Sequence, residues 1–134
     1  MNDQRKAQDS ETMKALFTIL LLSNLATAQR LHKESWYQDR VAKKWKAKTE
    51  VRVANGRVDI VGANYATEVE FADKWKEAIG QALWYAFQTN KKAGIILICE
   101  KPEDHKHAMR LRSVIQHNKL DIKVWTYSEV MTAK

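Results

Sequence analysis

The sequence predicts one α/β domain built on a mixed sheet, with a polar site at the sheet's edge. Three observations predict it. Residues 49–54, 57–61 and 67–71 alternate apolar and polar side chains with only short breaks between them, as an antiparallel meander does. Residues 94–100 open with an unbroken apolar run, the pattern of a strand covered on both faces. Helical periodicity at 74–89 and 102–117 brackets that run, and such crossovers join strands in parallel.

Residues 1–12 are polar and are expected to be disordered. Lys14 then precedes a short apolar run at 15–22, a polar break at Ser23 and Asn24, and Ala26, Thr27 and Ala28. A charged start, an apolar centre and an Ala-x-Ala end read as a secretory signal peptide over 13–28, cleaved after Ala28. The run is too short to span a bilayer. The expected organisation is therefore a leader at 1–28 and a domain at 29–134, placed in the periplasm or outside the cell, with no integral span after processing. The alternative is that the apolar run is a buried first helix and the protein stays in the cytoplasm. Cleavage leaves the net charge unchanged, because Arg5, Lys6 and Lys14 balance Asp3, Asp9 and Glu11.

Residues 30–48 read as a helix with Leu31, Trp36, Val41 and Trp45 apolar and Tyr37 alongside. Lys43, Lys44, Lys46 and Lys48 give it a basic end, which suits the helix dipole. Lys43, Lys44 and Lys46 are also candidates for nucleic-acid contact. Asn55 and Gly56 are a strong signal for a two-residue hairpin turn. Asp73 is the expected N-cap of the 74–89 helix, whose core face would hold Trp75, Ile79, Ala82, Leu83, Ala86 and Phe87. Pro102 opens the next helix, 121–127 is a last strand, and a short helix follows.

A chain of 134 residues supports one core, and its net charge of +7 suits a polyanionic partner. The single cysteine, Cys99, excludes an internal disulfide, and its apolar surroundings make it a core residue rather than a nucleophile. No zinc-ligand spacing is present.

The chemistry-bearing residues gather in the middle of the chain. Asp59 lies in the second strand, and Glu68 and Glu70, two apart in the third, leave the same face. Lys74, Gln81 and Tyr85 fall on one helical stripe. Taken singly, these are ordinary residues of exposed strands and of an amphipathic helix. Together they bring carboxylates to one edge, where mutual repulsion raises a pKa unless a cation intervenes.

The order Asp, about ten residues, Glu-x-Glu, then Gln-x-x-x-Tyr on the next helix resembles the PD-(D/E)xK nuclease superfamily, and its RecB-like branch in particular. The resemblance covers residues from about 30 to 127. It implies a restriction-endonuclease-like core, α-β-β-β-α-β-α-β, with a mixed central sheet flanked by helices. It implies Mg2+ or Mn2+ held by Asp59, Glu68 and the backbone carbonyl of Val69, with Glu34 on the first helix as a further carboxylate. Glu70 stands where most members carry lysine, and Lys74 is then the lysine moved to the following helix. Gln81 and Tyr85 would orient the phosphate. The implied activity is metal-dependent hydrolysis of phosphodiester bonds in DNA or another nucleic acid, and a homodimer is compatible with it. The departure at Glu70 keeps open a non-catalytic nucleic-acid binder on the same fold. A secreted interaction domain is the third reading.

Overall fold

The computed structural model describes residues 2–26 and 29–134, which divide into a unit around helix α1 (Asn2–Ala26) and a second unit, His32–Lys134. In α1 the polar start is helical rather than disordered. Its residues are mostly good helix formers, and Lys14 pairs with Glu11 one turn back at 2.9 Å. The expected cleavage point at Thr27 and Ala28 lies outside the described residues. Among the described residues no helix is long and apolar enough to cross a membrane.

The second unit opens with α2 (Glu34–Trp45), which ends where Lys46 turns left-handed (φ 52°) and its N–H closes on the carbonyls of Ala42 and Lys43. The buried face of α2 is Tyr37, Gln38, Val41 and Ala42. Leu31, expected on that face, precedes the helix and is 70% exposed. Trp36 points outward too, stacked on His32 (ring centroids 3.9 Å apart) beneath the guanidinium of Arg40.

Strands β1 (Lys48–Val53), β2 (Gly56–Val61) and β3 (Tyr65–Phe71) follow, then α3 (Trp75–Thr89), β4 (Lys92–Ile98), α4 (His105–His117), β5 (Ile122–Thr126) and α5 (Tyr127–Thr132). The five strands form one open sheet in sequence order; β1–β2 and β2–β3 are antiparallel, β3–β4 and β4–β5 parallel. The fold is α/β, with a mixed sheet flanked by helices. The apolar run forms β4, an interior strand, although β3 is the middle one. Asp73 does not stand at the N-cap position of α3. It lies inside a 3-10 turn, Ala72–Lys74, and the helix starts at Trp75 with Lys74 at its N-cap.

Alternation along β4 explains its unbroken apolar character. Ile95 and Leu97 pack with Ala78 and Ala82 of α3 and Leu111 and Ile115 of α4. Ile96 and Ile98 pack on the other side with Tyr37 and Val41 of α2, Ile60, Val69 and Val130. Each residue of the run thus meets a core. Helix α5 is fixed by a capping box. Thr126 Oγ1 accepts the Glu129 N–H at 3.2 Å, and Glu129 Oε2 accepts the Thr126 N–H at 2.7 Å.

Candidate active site

The hairpin sets the site's first wall. Val53 pairs with Gly56, so the two turn residues are Ala54 and Asn55, one position earlier than the Asn-Gly signal predicts. Asn55 adopts the left-handed conformation (φ 56°), and no glycine has positive φ. Gly56 answers a different need. A Cβ there would lie 2.6 Å from Cε1 of Tyr85, so the phenol ring rests directly on the strand. On the same hairpin the Trp84 indole N–H donates to the Ala54 carbonyl at 3.1 Å.

Next along the strand the ladder is interrupted. Thr49 pairs with Ile60 and Val51 with Val58, but Glu50 and Asp59 between them make no ladder pair. Glu50 has φ 56°, a costly conformation for a glutamate. Toward β3, pairing covers Ile60–Thr67 and Val61–Ala66 and goes no further. There Asp59 Oδ2 accepts the Val69 N–H at 2.8 Å in place of a backbone carbonyl. Val58 and Ile60, two apart, consequently join different core clusters. The broken alternation is what turns the Asp59 carboxyl into the gap where β2 parts from β3.

Glu68 and Glu70 of β3 are buried, as Asp59 is, and Glu34 reaches the same place from the start of α2. The carboxyls of Asp59 and Glu68 lie close enough to shift one another, and Glu70 acts on Glu34 in the same way. Burial raises both, Asp59 and Glu68, and Glu68 further than Asp59, so of the pair Glu68 is the one that keeps a proton. Burial, reinforced by the charges of Asp59, Glu34 and Glu70, pushes Glu68 up to about 9. Burial also lifts Asp59 to about 6, against the pull of the Val69 N–H. Glu34 rises to about 7 through burial and the charges of Glu70 and Asp59, with the Lys74 ammonium opposing. Glu70 Oε1 accepts the Phe71 N–H at 2.8 Å, and Gln38 Nε2 donates to Glu34 Oε1 at 3.2 Å. Glu68 Oε2 is buried and has no hydrogen-bond partner.

These groups line one cavity of about 620 Å³. The structure brings Glu34, Asp59, Glu68, Glu70, Lys74, Gln81 and Tyr85 together in it, all of them residues the sequence singles out. It leaves others elsewhere. Val69 is not part of the lining, and it is the Val69 N–H that holds Asp59. The basic end of α2 is not there either. Lys44 Nζ donates to the carbonyls of Met131 (2.9 Å) and Ala133 (2.6 Å), Lys46 ends its helix, and Lys43 lies in a separate hollow with Arg40. Lys76 lies over the Trp75 ring, 5.8 Å from its centroid.

The cavity also holds residues the sequence reading passed over. Arg52 and Arg57 line it, directly opposite one another across β1 and β2. Glu50 adds negative charge near Asp59 and forms an ion pair with Arg57. The signal for all three was the hairpin register.

Among the described residues no group of three or more His, Cys, Asp or Glu side chains is arranged to hold a metal ion. Two carboxyls are arranged together, Asp59 and Glu68, and one carries the unpartnered buried oxygen. That all-oxygen pair fits Mg2+ or Mn2+, ions commonly held by one or two carboxylates with water and substrate phosphate completing the shell. No protein-family model, curated protein or solved structure matches this chain.

Proposed function

We propose that the protein is a divalent-metal-dependent nuclease, hydrolysing phosphodiester bonds in DNA or a related nucleic acid on a restriction-endonuclease-like core. The observation that carries the reading is the buried, unpartnered Glu68 Oε2 beside Asp59, in a cavity that also holds Lys74, Gln81 and Tyr85. A folded chain gains nothing from collecting carboxyls where burial and mutual repulsion push Glu34, Asp59 and Glu68 toward their protonated forms. A cation in place of those protons gives the cluster a purpose.

Asp59 and Glu68 would hold the ion. When bound, it supplies polarisation of the scissile phosphate and a water of lowered pKa. The protein's own groups supply the rest. Lys74 sets a positive charge against the negative charge that builds on the phosphate in the transition state, the task lysine performs from position 70 in most members of the resembling family. Glu70, fixed through its bond from the Phe71 N–H, takes the proton of the attacking water. The Gln81 amide and the Tyr85 phenol donate hydrogen bonds to phosphate oxygens. Tyr85 is fixed for this by its seat on Gly56.

The test is incubation with supercoiled plasmid, linear duplex and single-stranded DNA, with and without Mg2+ or Mn2+. Cleavage that needs the ion and disappears in Asp59→Ala supports the reading. DNA binding without cleavage of any substrate makes the protein a binder on this fold, and the absence of both removes nucleic acid from the account.

A further inference from the structure

We propose that Arg52 and Arg57 form a phosphate clamp on the β1–β2 hairpin, gripping the nucleic-acid backbone beside the scissile group and fixing how the strand crosses the cavity. The proposal rests on the nuclease reading above and names which of this chain's residues hold the substrate.

The first observation is the pairing. Arg52 and Arg57 face each other in the antiparallel ladder. Like charges directly opposite in a sheet destabilise it, so the fold does not ask for this pair. The second is the incomplete neutralisation. Arg57 has Glu50 as an ion partner, and its side chain is still 63% exposed. Arg52 makes no ion pair with any described residue. The excess positive charge faces the solvent at the rim of the cavity that contains Asp59 and Glu68.

The third observation is the rigidity of the mount. Two consecutive residues of helix α3 hold the hairpin, through the bond from the Trp84 indole to Ala54 and through the Tyr85 ring against Gly56. The arginines therefore stand on a fixed platform. A planar guanidinium offers parallel N–H donors that match two oxygens of one phosphate, which a lysine does not. A phosphodiester chain entering the cavity would also relieve the Arg–Arg repulsion. Its scissile phosphate would lie by Lys74 and its neighbours by the hairpin.

The test measures binding of a fluorescently labelled DNA oligonucleotide in EDTA, where no cleavage occurs, across a range of KCl concentrations. Parent, Arg52→Gln, Arg57→Gln and the double variant are compared with Arg110→Gln, whose side chain lines a separate hollow on α4. Each lost phosphate contact should flatten the plot of log affinity against log salt by about 0.7–0.9, so the double variant loses about 1.4–1.8. Its thermal midpoint should stay level or rise, since a repulsive pair has gone. Arg110→Gln should keep the parent slope. A double variant with the parent slope, or one with a lowered midpoint and an unchanged slope, makes the pair structural and overturns the clamp while leaving the nuclease reading intact. An equal loss in Arg110→Gln makes the attraction diffuse and also overturns it. A parent that neither binds nor cleaves DNA ends both.

Discussion

Glu68→Gln should make the metal-free protein more stable and, in the same step, unable to hold an ion. The carboxyl's ordinary value is 4.5, and in the fold it is about 9. The folded state thus keeps a proton that the unfolded chain gives up. Stability is therefore greatest below about 4.5 and falls as the pH climbs toward 9, at about 1.4 kcal/mol per pH unit for one such group. Near pH 7.5 the burden is about 4 kcal/mol if Glu68 bears it alone, and about 2 if Asp59, which titrates with it, bears half. Glutamine has the same shape and does not ionise. Urea unfolding in EDTA should then show a variant close to the parent at about pH 5 and about 2–4 kcal/mol more stable at about pH 7.5. Adding Mg2+ at 100 times its dissociation constant should raise the parent by about 2.7 kcal/mol and leave the variant unmoved. A variant less stable than the parent at the higher pH, or a gap that does not widen with pH, would refute the reasoning.

Other perturbations separate the roles of neighbouring residues. Lys74→Ala should lower cleavage by about 10²-fold or more with ion binding retained, whereas Lys76→Ala, whose ammonium lies over Trp75, should leave the rate near the parent's; the reverse ranking would displace Lys74 from the mechanism. Gly56→Ala puts a methyl 2.6 Å from the Tyr85 ring and should cost about 1–3 kcal/mol. It should also reduce turnover through the displaced phenol, and a variant with parental activity would remove Tyr85 from the site. For the leader, N-terminal sequencing of the protein from its native host should find Gln29 first, and a product that retains Met13 contradicts export.

The parts of the fold that follow local periodicity were legible. The apolar run at β4 and the helical stripe of Lys74, Gln81 and Tyr85 depend only on spacing, and Asp59 and Glu68 came together because neighbouring strands of a meander pair. What was not legible depends on register and on contact across elements. Placing the turn at Asn55 and Gly56 sets Arg52 opposite Asp59. The observed turn, one residue earlier, sets it opposite Arg57. That single step hid the clamp. Leu83 and Phe87 were expected in the core, yet Phe87 is 75% exposed. Helix α3 approaches the sheet closely through Ala78 and Ala82, and Tyr85 completes its buried stripe, so the larger apolar side chains are turned out. The meeting of Glu34 with Asp59, Glu68 and Glu70 in one cavity depends on how α2 meets two strands, which no spacing within one element encodes.

Calorimetric titration of the metal-free protein with Mg2+ and with Mn2+, at about pH 6 and about pH 8 in buffers of different ionisation enthalpy, tests the central claim most directly. The account predicts binding that tightens with pH, releases protons as the ion replaces those held by Glu68 and Asp59, and is lost in Asp59→Ala. An ion that binds without releasing protons, binds Asp59→Ala equally well, or does not bind at either pH would contradict it.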